Sequence, residues 1–504
     1  MRTPRRPIAG LLLTPLLAGC FATGGEGSSS AASADSAAPG DGGRLRVALA
    51  FTPARNFSPY SQDAFHLSKL GVSEGLTRLD ANGTAVPALA ESWTSEQGGR
   101  SWLFTLRDAT FQDGTELTAQ AVASALTHAA EAEPAPTALA GVELTAEAVG
   151  DDQVRVGTGG ADPVLPLRMS SPNLAVFSPK AYEKKGTVSP VGTATGPFAL
   201  TRITGDTAAT LDRFDDYWGG SAQAPGIDAA FIADGTARAN ALRTGQTDIA
   251  EALAVAQIAS LDKGTVHETN NARNTSLYLN TTSGVFTDPG LRAAARAAID
   301  PSVIAKDVYE GHAEAAQGIY GPALNWAASK RTEPTGRAEA TEPSGKSITI
   351  ATYTGRPELA ETAQVLQQQL ENAGFKVKLE VRDYARIESD LLAGTFDAAV
   401  ASRNMMLDTG DPVTVLGSDF TCQGTYNLSL LCDKRIDKAV ADAQAVADTA
   451  ERQDAAMKAE AAILATDAVV PLVHLTVATG IGASVQGTLL DPYDRQFVGT
   501  GTRR

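Results

Sequence analysis

Two short motifs in this sequence contain residue types that could do catalytic or phosphate chemistry. Residues 71–75 (GVSEG) have the G-x-S-x-G spacing that exposes a nucleophilic serine at a strand-to-helix turn. Because this segment follows a helical pattern and lacks a preceding strand, we expect no nucleophile at Ser73. Residues 345–347 (GKS) match the end of a phosphate-binding loop, but Ala340 occupies the position of its first glycine. We therefore expect no phosphate loop there.

The sequence also lacks the residue spacings that are typical of metal and redox sites. The chain has neither an H-E-x-x-H nor a C-x-x-C spacing, and its five histidines are scattered singly. Carboxylates are abundant, but an unaligned sequence does not pair them into a general acid and base. The histidines are His66, His128, His267, His312 and His474. The sequence therefore predicts a protein that is not an enzyme and that holds no metal and no cofactor.

The N-terminus has the features of an export signal. Three arginines precede an apolar run over residues 8–18, and these eleven residues are fewer than the roughly 20 that a membrane-spanning helix needs. The run ends in LAGC at residues 17–20, which resembles the lipobox of bacterial lipoproteins. We expect residues 1–19 to be a lipoprotein signal peptide and Cys20 to carry the lipid. An ordinary signal peptide with a chance cysteine is the alternative.

The segment after this cysteine is expected to be a flexible tether. In residues 21–43, 17 of the 23 positions are Gly, Ser or Ala, a composition that buries too little apolar surface to fold. Such a chain reaches on the order of 25 Å. We therefore predict that residues 20–43 hold the protein near the outer face of the cell membrane, with the lipid as its only membrane contact.

Composition excludes nucleic acid as a partner. Lys and Arg number 42 against 58 Asp and Glu, so the net charge is −16 and the surface repels phosphate backbones. A length of 504 residues indicates two or three domains.

The other two cysteines, Cys422 and Cys432, lie in a polar loop. Export would place them on the oxidising side of the membrane, where a disulfide between them is the natural state. Closing so short a loop stabilises the fold by about 3 kcal/mol in the chain-entropy description. Two free, buried thiols are the alternative.

The pattern of the mature chain predicts a mixed α/β structure. Its first part has a strand over residues 45–51, a short helix over 64–71, a β-meander that turns at 97–99, and a helix over 119–132 capped by Thr118.

Farther along, Asp288 and Pro289 open a helix, and a strand and helix alternation follows. Such alternation requires a mostly parallel sheet with right-handed crossovers. The predicted elements are strands over 347–353, 375–381 and 396–402, helices over 358–372 and 384–393, one long helical stretch over 436–466, and a last strand over 471–478.

A series of segments then carries a family resemblance in the right order along the chain. They are EGLTRLD at 74–80, PALAESW at 87–93, WLFTLR at 102–107, FQDG at 111–114, DYWGG at 216–220, ANALRTG at 239–245 and LNTT at 279–282. They resemble the family 5 extracellular solute-binding proteins, which are the dipeptide, oligopeptide and nickel-chelate receptors of ABC importers. The resemblance covers residues 44–504.

The resemblance implies an α/β, two-lobed periplasmic-binding-protein-like fold with an extra subdomain inserted in the N-terminal lobe. Residues 44–280 with 476–504 would form the N-terminal lobe, and the insertion would span about residues 86–195. Residues 281–475 would form the C-terminal α/β lobe. The ligand would lie in the cleft between the lobes, where closure removes water from its polar contacts.

The same resemblance implies two ligand-binding residues. The segment 408–412 (DTGDP) is similar to the Asp-x-x-Asp/Glu-Pro motif of peptide receptors, whose first aspartate binds the α-ammonium group; here it is Asp408. Arg356, before Pro357, is similar to the arginine that binds the α-carboxylate. Buried charges of this kind need charged partners. An aspartate that caps a turn and an arginine on the solvated surface are the alternatives.

The nickel-chelate branch of the family offers a second ligand class. This chain lacks the cleft residues of that branch. Residues 171–173 (SPN) stand near the position of its arginine, Met405 and Met406 near the position of its tryptophan, and residues 421–423 (TCQ) at the position of its histidine. These differences argue against the same metal-chelate chemistry and leave another small amphoteric ligand open. Met405 and Met406 are accordingly predicted to contact the ligand.

The function predicted from the sequence is an extracytoplasmic lipoprotein, on the periplasmic side in a Gram-negative cell. It would bind a small peptide as a monomer and deliver it to ABC permease subunits with their cytoplasmic ATPases. A metal chelate or an opine is the alternative ligand. An extracellular hydrolase and a sensor or chaperone without transport are the alternative functions.

Overall fold

The computed structural model describes residues 42–184, 186–354, 356–406 and 408–504. The predicted signal peptide, the predicted lipidation site Cys20 and most of the predicted tether lie outside these residues. No helix within the described ranges combines the length and the apolar character needed to cross a bilayer.

Strands and helices alternate through the described residues. The strands are β1 Leu45–Leu49, β2 Thr77–Leu79, β3 Ala85–Pro87, β4 Ala90–Glu96, β5 Ser101–Leu106, β6 Leu144–Val149, β7 Gln153–Thr158, β8 Phe198–Thr204, β9 Ala208–Arg213, β10 Gly226–Phe231, β11 Ile249–Ala250, β12 Val266–Leu279, β13 Ala313–Ala315, β14 Ser347–Tyr353, β15 Lys376–Arg382, β16 Ala398–Asn404 and β17 Val469–Ile481. The helices are α1 Ala64–Lys69, α2 Ala119–Ala130, α3 Leu165–Arg168, α4 Gly235–Arg243, α5 Val255–Ile258, α6 Pro289–Ala298, α7 Pro301–Val303, α8 Ala327–Lys330, α9 Pro357–Asn372, α10 Tyr384–Leu392, α11 Pro412–Phe420, α12 Lys434–Gln444 and α13 Thr449–Ala465.

One eleven-stranded sheet runs through most of the molecule. Its strand order is β15-β14-β16-β12-β17-β11-β1-β10-β9-β8, and β13 pairs with β17 outside this path. The part from β15 to β12 carries the C-terminal elements, and the part from β11 to β8 carries the N-terminal elements. We call these parts the C-terminal half and the N-terminal half of the sheet.

The strands β12 and β17 are long enough to belong to both halves. Residues 266–270 of β12 pair with residues 476–480 of β17, and residues 274–278 pair with residues 469–474. In the interval between these two ladders, β12 has two more residues than β17, so the register shifts there. The connection between the halves is therefore a bulged pair of continuous strands.

The C-terminal half has the predicted parallel alternation. The strand β14 pairs in parallel with both β15 and β16, and the helices α9 and α10 connect them. Buried apolar residues cover both faces of this half, with Leu366 and Val400 in one cluster and Leu416 and Ile463 in the other. Burial on both faces explains why the first four residues of β16, 398–401 (AAVA), are continuously apolar instead of alternating.

A separate four-stranded sheet, ordered β4-β5-β7-β6, packs against α2 and forms its own apolar core. We call residues 90–168, which contain this sheet, the inserted region. Thr118 caps α2 as expected, since its side chain accepts a hydrogen bond from the Ala121 amide. The predicted lobe boundaries at residues 195, 280 and 475 stay predictions.

The single helical stretch predicted over residues 436–466 is wrong. The chain forms α12 and α13 there, separated by residues 445–448. Asp448 ends the continuity, because its carboxylate accepts hydrogen bonds from the amides of Ala450 and Glu451 and so begins a new helix. The alanine-rich composition on both sides conceals this cap.

Candidate ligand-binding cleft

A cavity of about 1220 Å³ lies between the inserted region and the helices of the C-terminal half. Residues of the segment 137–168 line one wall, and residues of the segment 384–452 line the other. On the first wall, the Arg168 guanidinium donates to the Asp162 carboxylate at 2.8 Å, which fixes the chain just before α3. The cavity is therefore a cleft between two parts of the chain that each have their own apolar cluster.

The second wall follows from the direction of the parallel strands. The strands β14, β15 and β16 end at Tyr353, Arg382 and Asn404, and the next helices begin shortly after each of them. The carboxyl ends of parallel strands and the amino ends of the following helices meet at one edge, where open α/β sheets bind ligands. Arg356 and Asp408 lie in two of these strand-to-helix connections.

Asp408 lies in the cleft and contacts the opposite wall. The Thr137 hydroxyl, on the inserted region, donates a hydrogen bond to Asp408 Oδ1 at 2.9 Å. Among the described residues, this is the one hydrogen bond that the Asp408 carboxylate accepts, and it forms no ion pair there. The buried Arg495 guanidinium also acts on this carboxylate electrostatically, and the carboxylate lines the cavity, where a ligand cation would meet it.

Asp411, three residues later, has a structural role. Its carboxylate accepts hydrogen bonds from the amides of Val413 and Thr414 at the start of α11. It also accepts two hydrogen bonds from the Arg452 guanidinium, at 2.9 and 2.6 Å. Burial alone would raise the pKa of Asp411, but Arg452 and these donors hold the pKa below its usual range.

Arg356 precedes α9 and faces the N-terminal half of the sheet. Its guanidinium carbon lies 5.6 Å from the centre of the Phe51 ring, which follows β1 and is 48% exposed. This distance is within the range of a cation–π contact. Within the part of the chain that the structure describes, Arg356 has no ion-pair partner. It lies beside the cavity rather than among the residues that line it.

An aromatic and ionic group forms the floor of the cleft. Arg403 on β16 donates two hydrogen bonds to the buried Asp419 carboxylate, at 2.7 and 2.8 Å, and lies 4.0 Å from the centre of the Tyr426 ring. Burial opposes the charge of Arg403, but Asp419 outweighs it and raises the arginine's pKa. The Tyr384 and Tyr426 hydroxyls lie 2.7 Å apart. Arg403 is thus already neutralised.

Both predicted methionine positions are buried. Met405 lines the cavity, and its amide donates to the Ala272 carbonyl at 2.7 Å. Met406 lies outside the residues that line the cavity, and its carbonyl accepts a hydrogen bond from Arg495. The structure therefore brings Met405 to the cleft beside Asp408 and places Met406 behind it.

A disulfide joins Cys422 and Cys432 across a sequence separation of 10 residues. The loop that it closes includes Gln423 and Tyr426, which line the cavity. In the described ranges, no cluster of His, Cys, Asp and Glu has the arrangement of a metal site.

Several cleft residues have no signal in the sequence. Thr137 lies 271 positions from Asp408, in a segment without regular periodicity. Arg403 and Tyr426 belong to different elements, and only the fold brings them together.

Comparison with known proteins agrees with this architecture. Residues 84–427 match the model of bacterial extracellular solute-binding proteins, family 5 Middle, which covers more than half of the chain. The chain belongs to this family. The predicted family is confirmed, and its members are extracytoplasmic binding proteins of ABC importers rather than enzymes.

Curated members of the family cover most of this chain. A probable di/tripeptide-binding protein 5 of Pseudomonas aeruginosa is 26% identical over 474 residues, which are 84% of this chain and 88% of that protein. The glutathione-binding protein GsiB of Escherichia coli O1:K1 is 26% identical over 397 residues, which are 73% of this chain and 77% of GsiB.

Solved structures of the family have the same fold. NikA from Staphylococcus aureus in complex with Ni(L-His)2 has a TM-score of 0.77 and 20% identity, over 92% of this chain and 99% of NikA. DppA from Helicobacter pylori in complex with the peptide STSA has a TM-score of 0.75 and 20% identity, over 92% of this chain and 98% of DppA. The predicted α/β two-lobed fold class is confirmed.

Proposed function

We propose that this solute-binding protein captures a small peptide, a di- or oligopeptide, by closing its cleft, and delivers it to a membrane permease with its ATPases. The observation that carries the proposal is the contrast between paired and unpaired charges. Asp411 and Arg403 are each bonded to a buried partner, whereas Asp408 and Arg356 have no ion-pair partner among the described residues.

The two unpaired charges suit the two ends of a peptide. A carboxylate would bind the α-ammonium group, and a guanidinium would bind the α-carboxylate with two parallel hydrogen bonds. Asp408 also contacts Thr137 on the opposite wall, and Arg356 contacts Phe51 of the N-terminal half. Each charge therefore contacts a residue from another part of the molecule, which supports a role for both in binding across the cleft.

Ligand identity is tested by mass spectrometry of material released from purified, denatured protein. Peptides in the released fraction would support the proposal. A metal chelate or an opine there would replace it with another amphoteric ligand.

The contact with the ammonium group is tested by calorimetry with the peptide so identified. Removing one partner of a desolvated charge pair costs about 2–5 kcal/mol, so Asp408→Asn should weaken binding roughly 30-fold or more. N-acetylating the peptide should cost the wild type a similar amount, and the two losses should not add. The same comparison at the other end of the peptide combines Arg356→Gln with a peptide whose C-terminal carboxylate is replaced by an amide.

Glu314→Gln is the matched control for this experiment. Glu314, on β13, is exposed and lies outside the residues that line the cavity. The substitution makes the same change in net charge, so we expect it to leave the affinity within about twofold because screened charges contribute little. Wild-type affinity in Asp408→Asn would show that Asp408 caps its loop and would remove the peptide assignment.

We also propose that Cys20 carries a lipid that holds the protein at the outer face of the membrane. The LAGC motif and the Gly/Ser/Ala-rich segment after it support this. Cys20→Ala should release the protein into the medium or periplasm. A variant that stays with the membrane after a high-salt wash would refute the anchor.

A further inference from the structure

Arg273 lies in the bulge at which β12 passes from one half of the sheet to the other. The residues on either side of the bulge, Asn270 and Asn274, face Thr476 and His474 of β17. The extra residues are held in place, because the Ala272 amide donates to the Pro492 carbonyl at 2.9 Å. Bulges re-aim side chains and occur often beside active sites.

The Arg273 guanidinium is mostly buried and lacks a hydrogen-bond acceptor among the described residues. Its side chain is 16% exposed, and its nearest carboxylate oxygen, Asp494 Oδ2, lies 4.0 Å away. The Asp494 carboxylate already accepts hydrogen bonds from the side-chain amides of Asn271 and Asn404, at 2.9 and 3.3 Å. Within the described ranges, Arg273 donates no side-chain hydrogen bond, although a guanidinium carries five N–H donors.

Arg452 shows how this protein satisfies a buried arginine. Its guanidinium donates to the Asp411 carboxylate and to the carbonyls of Ala443, Gln444 and Val446. Arg273 has no such set of acceptors. The unused donors of this partly exposed guanidinium are therefore open to water or to an acceptor on a ligand.

The charges around Arg273 favour an anion. The groups that act on it electrostatically are Arg356, Arg403, Asp494 and Tyr353. Burial, with the like charges of Arg356 and Arg403, lowers the pKa of Arg273 to about 10. Asp419 neutralises Arg403 and Asp494 lies 4.0 Å from Arg273, so Arg273 and Arg356 together leave one positive charge in excess beside the cleft.

This position adjoins the ligand cavity. Arg273 pairs with Asn404 in the ladder between β12 and β16, and Asn404 lines the cavity together with Arg403. Asp408 lies two residues beyond Met406 on the chain that continues from β16. Asp408 thus lines the cavity, whereas Arg273 and Arg356 lie outside its lining residues, and Arg273 is next to the strand positions Asn404 and Arg403 that do line it.

We propose that Arg273 binds a second carboxylate of the ligand, so that the preferred ligand is a peptide with an acidic side chain. The proposal rests on the proposed function, in which Arg356 binds the α-carboxylate. Arg273 is then the residue that determines specificity for an acidic over a neutral peptide.

The test compares alanyl-glutamate with alanyl-glutamine, and the corresponding tripeptides Ala-Ala-Glu and Ala-Ala-Gln, by titration calorimetry. Each pair differs by one charge at constant shape. We expect the wild type to bind the acidic peptide at least about tenfold more tightly, because a charge-assisted hydrogen bond replaces a neutral one. Arg273→Gln should abolish this preference and leave the affinity for the neutral peptide within about threefold.

Two further variants separate the possible causes. Arg356→Gln should weaken binding of acidic and neutral peptides alike, and Arg386→Gln, which removes an exposed arginine on α10, should change neither. If Arg273→Gln does not fold, Arg273→Lys and the wild-type comparison still decide the question. Equal binding of both peptides by the wild type overturns this inference alone. Failure of all four peptides to bind overturns the proposed function and this inference with it.

Discussion

Two aspartates of one short motif, Asp408 and Asp411, have different surroundings. Asp411 is 2% exposed, caps α11 and is bonded to Arg452, so its charge is used to hold two helices together. Asp408 accepts one hydrogen bond from Thr137 across the cleft. Residue type and spacing are thus insufficient to assign a role to either aspartate. The presence of Arg452 beside Asp411 is what gives that aspartate a structural role.

We predict that Asp411→Asn destabilises the protein by about 3–5 kcal/mol, because it leaves the buried Arg452 charge without its partner. The pKa of Asp411 is depressed in the folded state, so the stability it contributes is present at neutral pH and is lost as the pH falls below about 4. Urea unfolding at pH 7 measures the difference. Asp408→Asn is the matched control and should stay within about 1 kcal/mol of the wild type, since it alters one hydrogen bond. A similarly small effect of Asp411→Asn would contradict the structural role.

A second prediction concerns two buried histidines, His66 and His474, whose pKa values burial lowers to about 4. Both are neutral in the folded state and become protonated on unfolding below about pH 6.5. The unfolded state therefore binds more protons between pH 6.5 and 4, and stability that is full above this window falls with pH. The free energy of unfolding should fall by about 2 kcal/mol per histidine from pH 7.5 to 5.

Urea unfolding at pH 7.5 and pH 5 checks this second prediction. The quantity compared is the change in the free energy of unfolding between the two pH values, so a difference in absolute stability between a variant and the wild type does not affect it. His474→Gln should remove about half of the dependence that the two histidines cause. An unchanged dependence in His474→Gln would show that this histidine is protonated in the folded state.

At this scale the sequence predicts motifs but not contacts. Asp408 and Arg356 were found because each lies in a short pattern next to a strand. Thr137 and Arg273 were not, because their significance comes from an electrostatic partner far away in the chain. No local pattern records that a threonine hydroxyl faces a carboxylate across a cleft.

Among the elements, the strands and helices of the C-terminal half were predictable because several local signals agree there. Apolar runs, a Pro at the start of α9 and the glycine after it all mark the same boundaries. The break between α12 and α13 was missed, since helix propensity is high on both sides and only the cap at Asp448 separates them.

The loop between α11 and α12 gives a prediction of its own. Its disulfide closes a short loop, so Cys422→Ser with Cys432→Ser should cost about 3 kcal/mol, less any strain that is released. Because Tyr426 of this loop stacks on Arg403 in the cleft, ligand affinity should fall as well. Thermal unfolding and calorimetry measure the two effects.

The pairing itself is checked by alkylation of the protein expressed without Cys20. We expect no alkylated cysteine before reduction and two afterwards, at Cys422 and Cys432. Alkylation of both without a reductant would show free thiols.

For the whole molecule, the family and the two-lobed fold could be predicted, but the way in which the halves are joined could not. The predicted lobe boundaries at residues 280 and 475 follow changes in the pattern of predicted strands and helices along the chain. In the structure, β12 and β17 continue through both halves and change partners at a bulge. Hydrophobic periodicity describes one strand at a time and contains no record of which strand it pairs with.

The shared strands β12 and β17 have a consequence for the order of folding during synthesis. The centre of the sheet needs β17, which begins at Val469, so the ribosome must release nearly the whole chain before β12 finds this neighbour. Contacts so distant in sequence form slowly and leave strand edges open in the meantime. A chain that ends at residue 468 should show no cooperative unfolding and should be degraded rapidly by protease, whereas the chain lacking only residues 1–41 should resist. Protection of the shorter chain would show that the halves fold without their common strand.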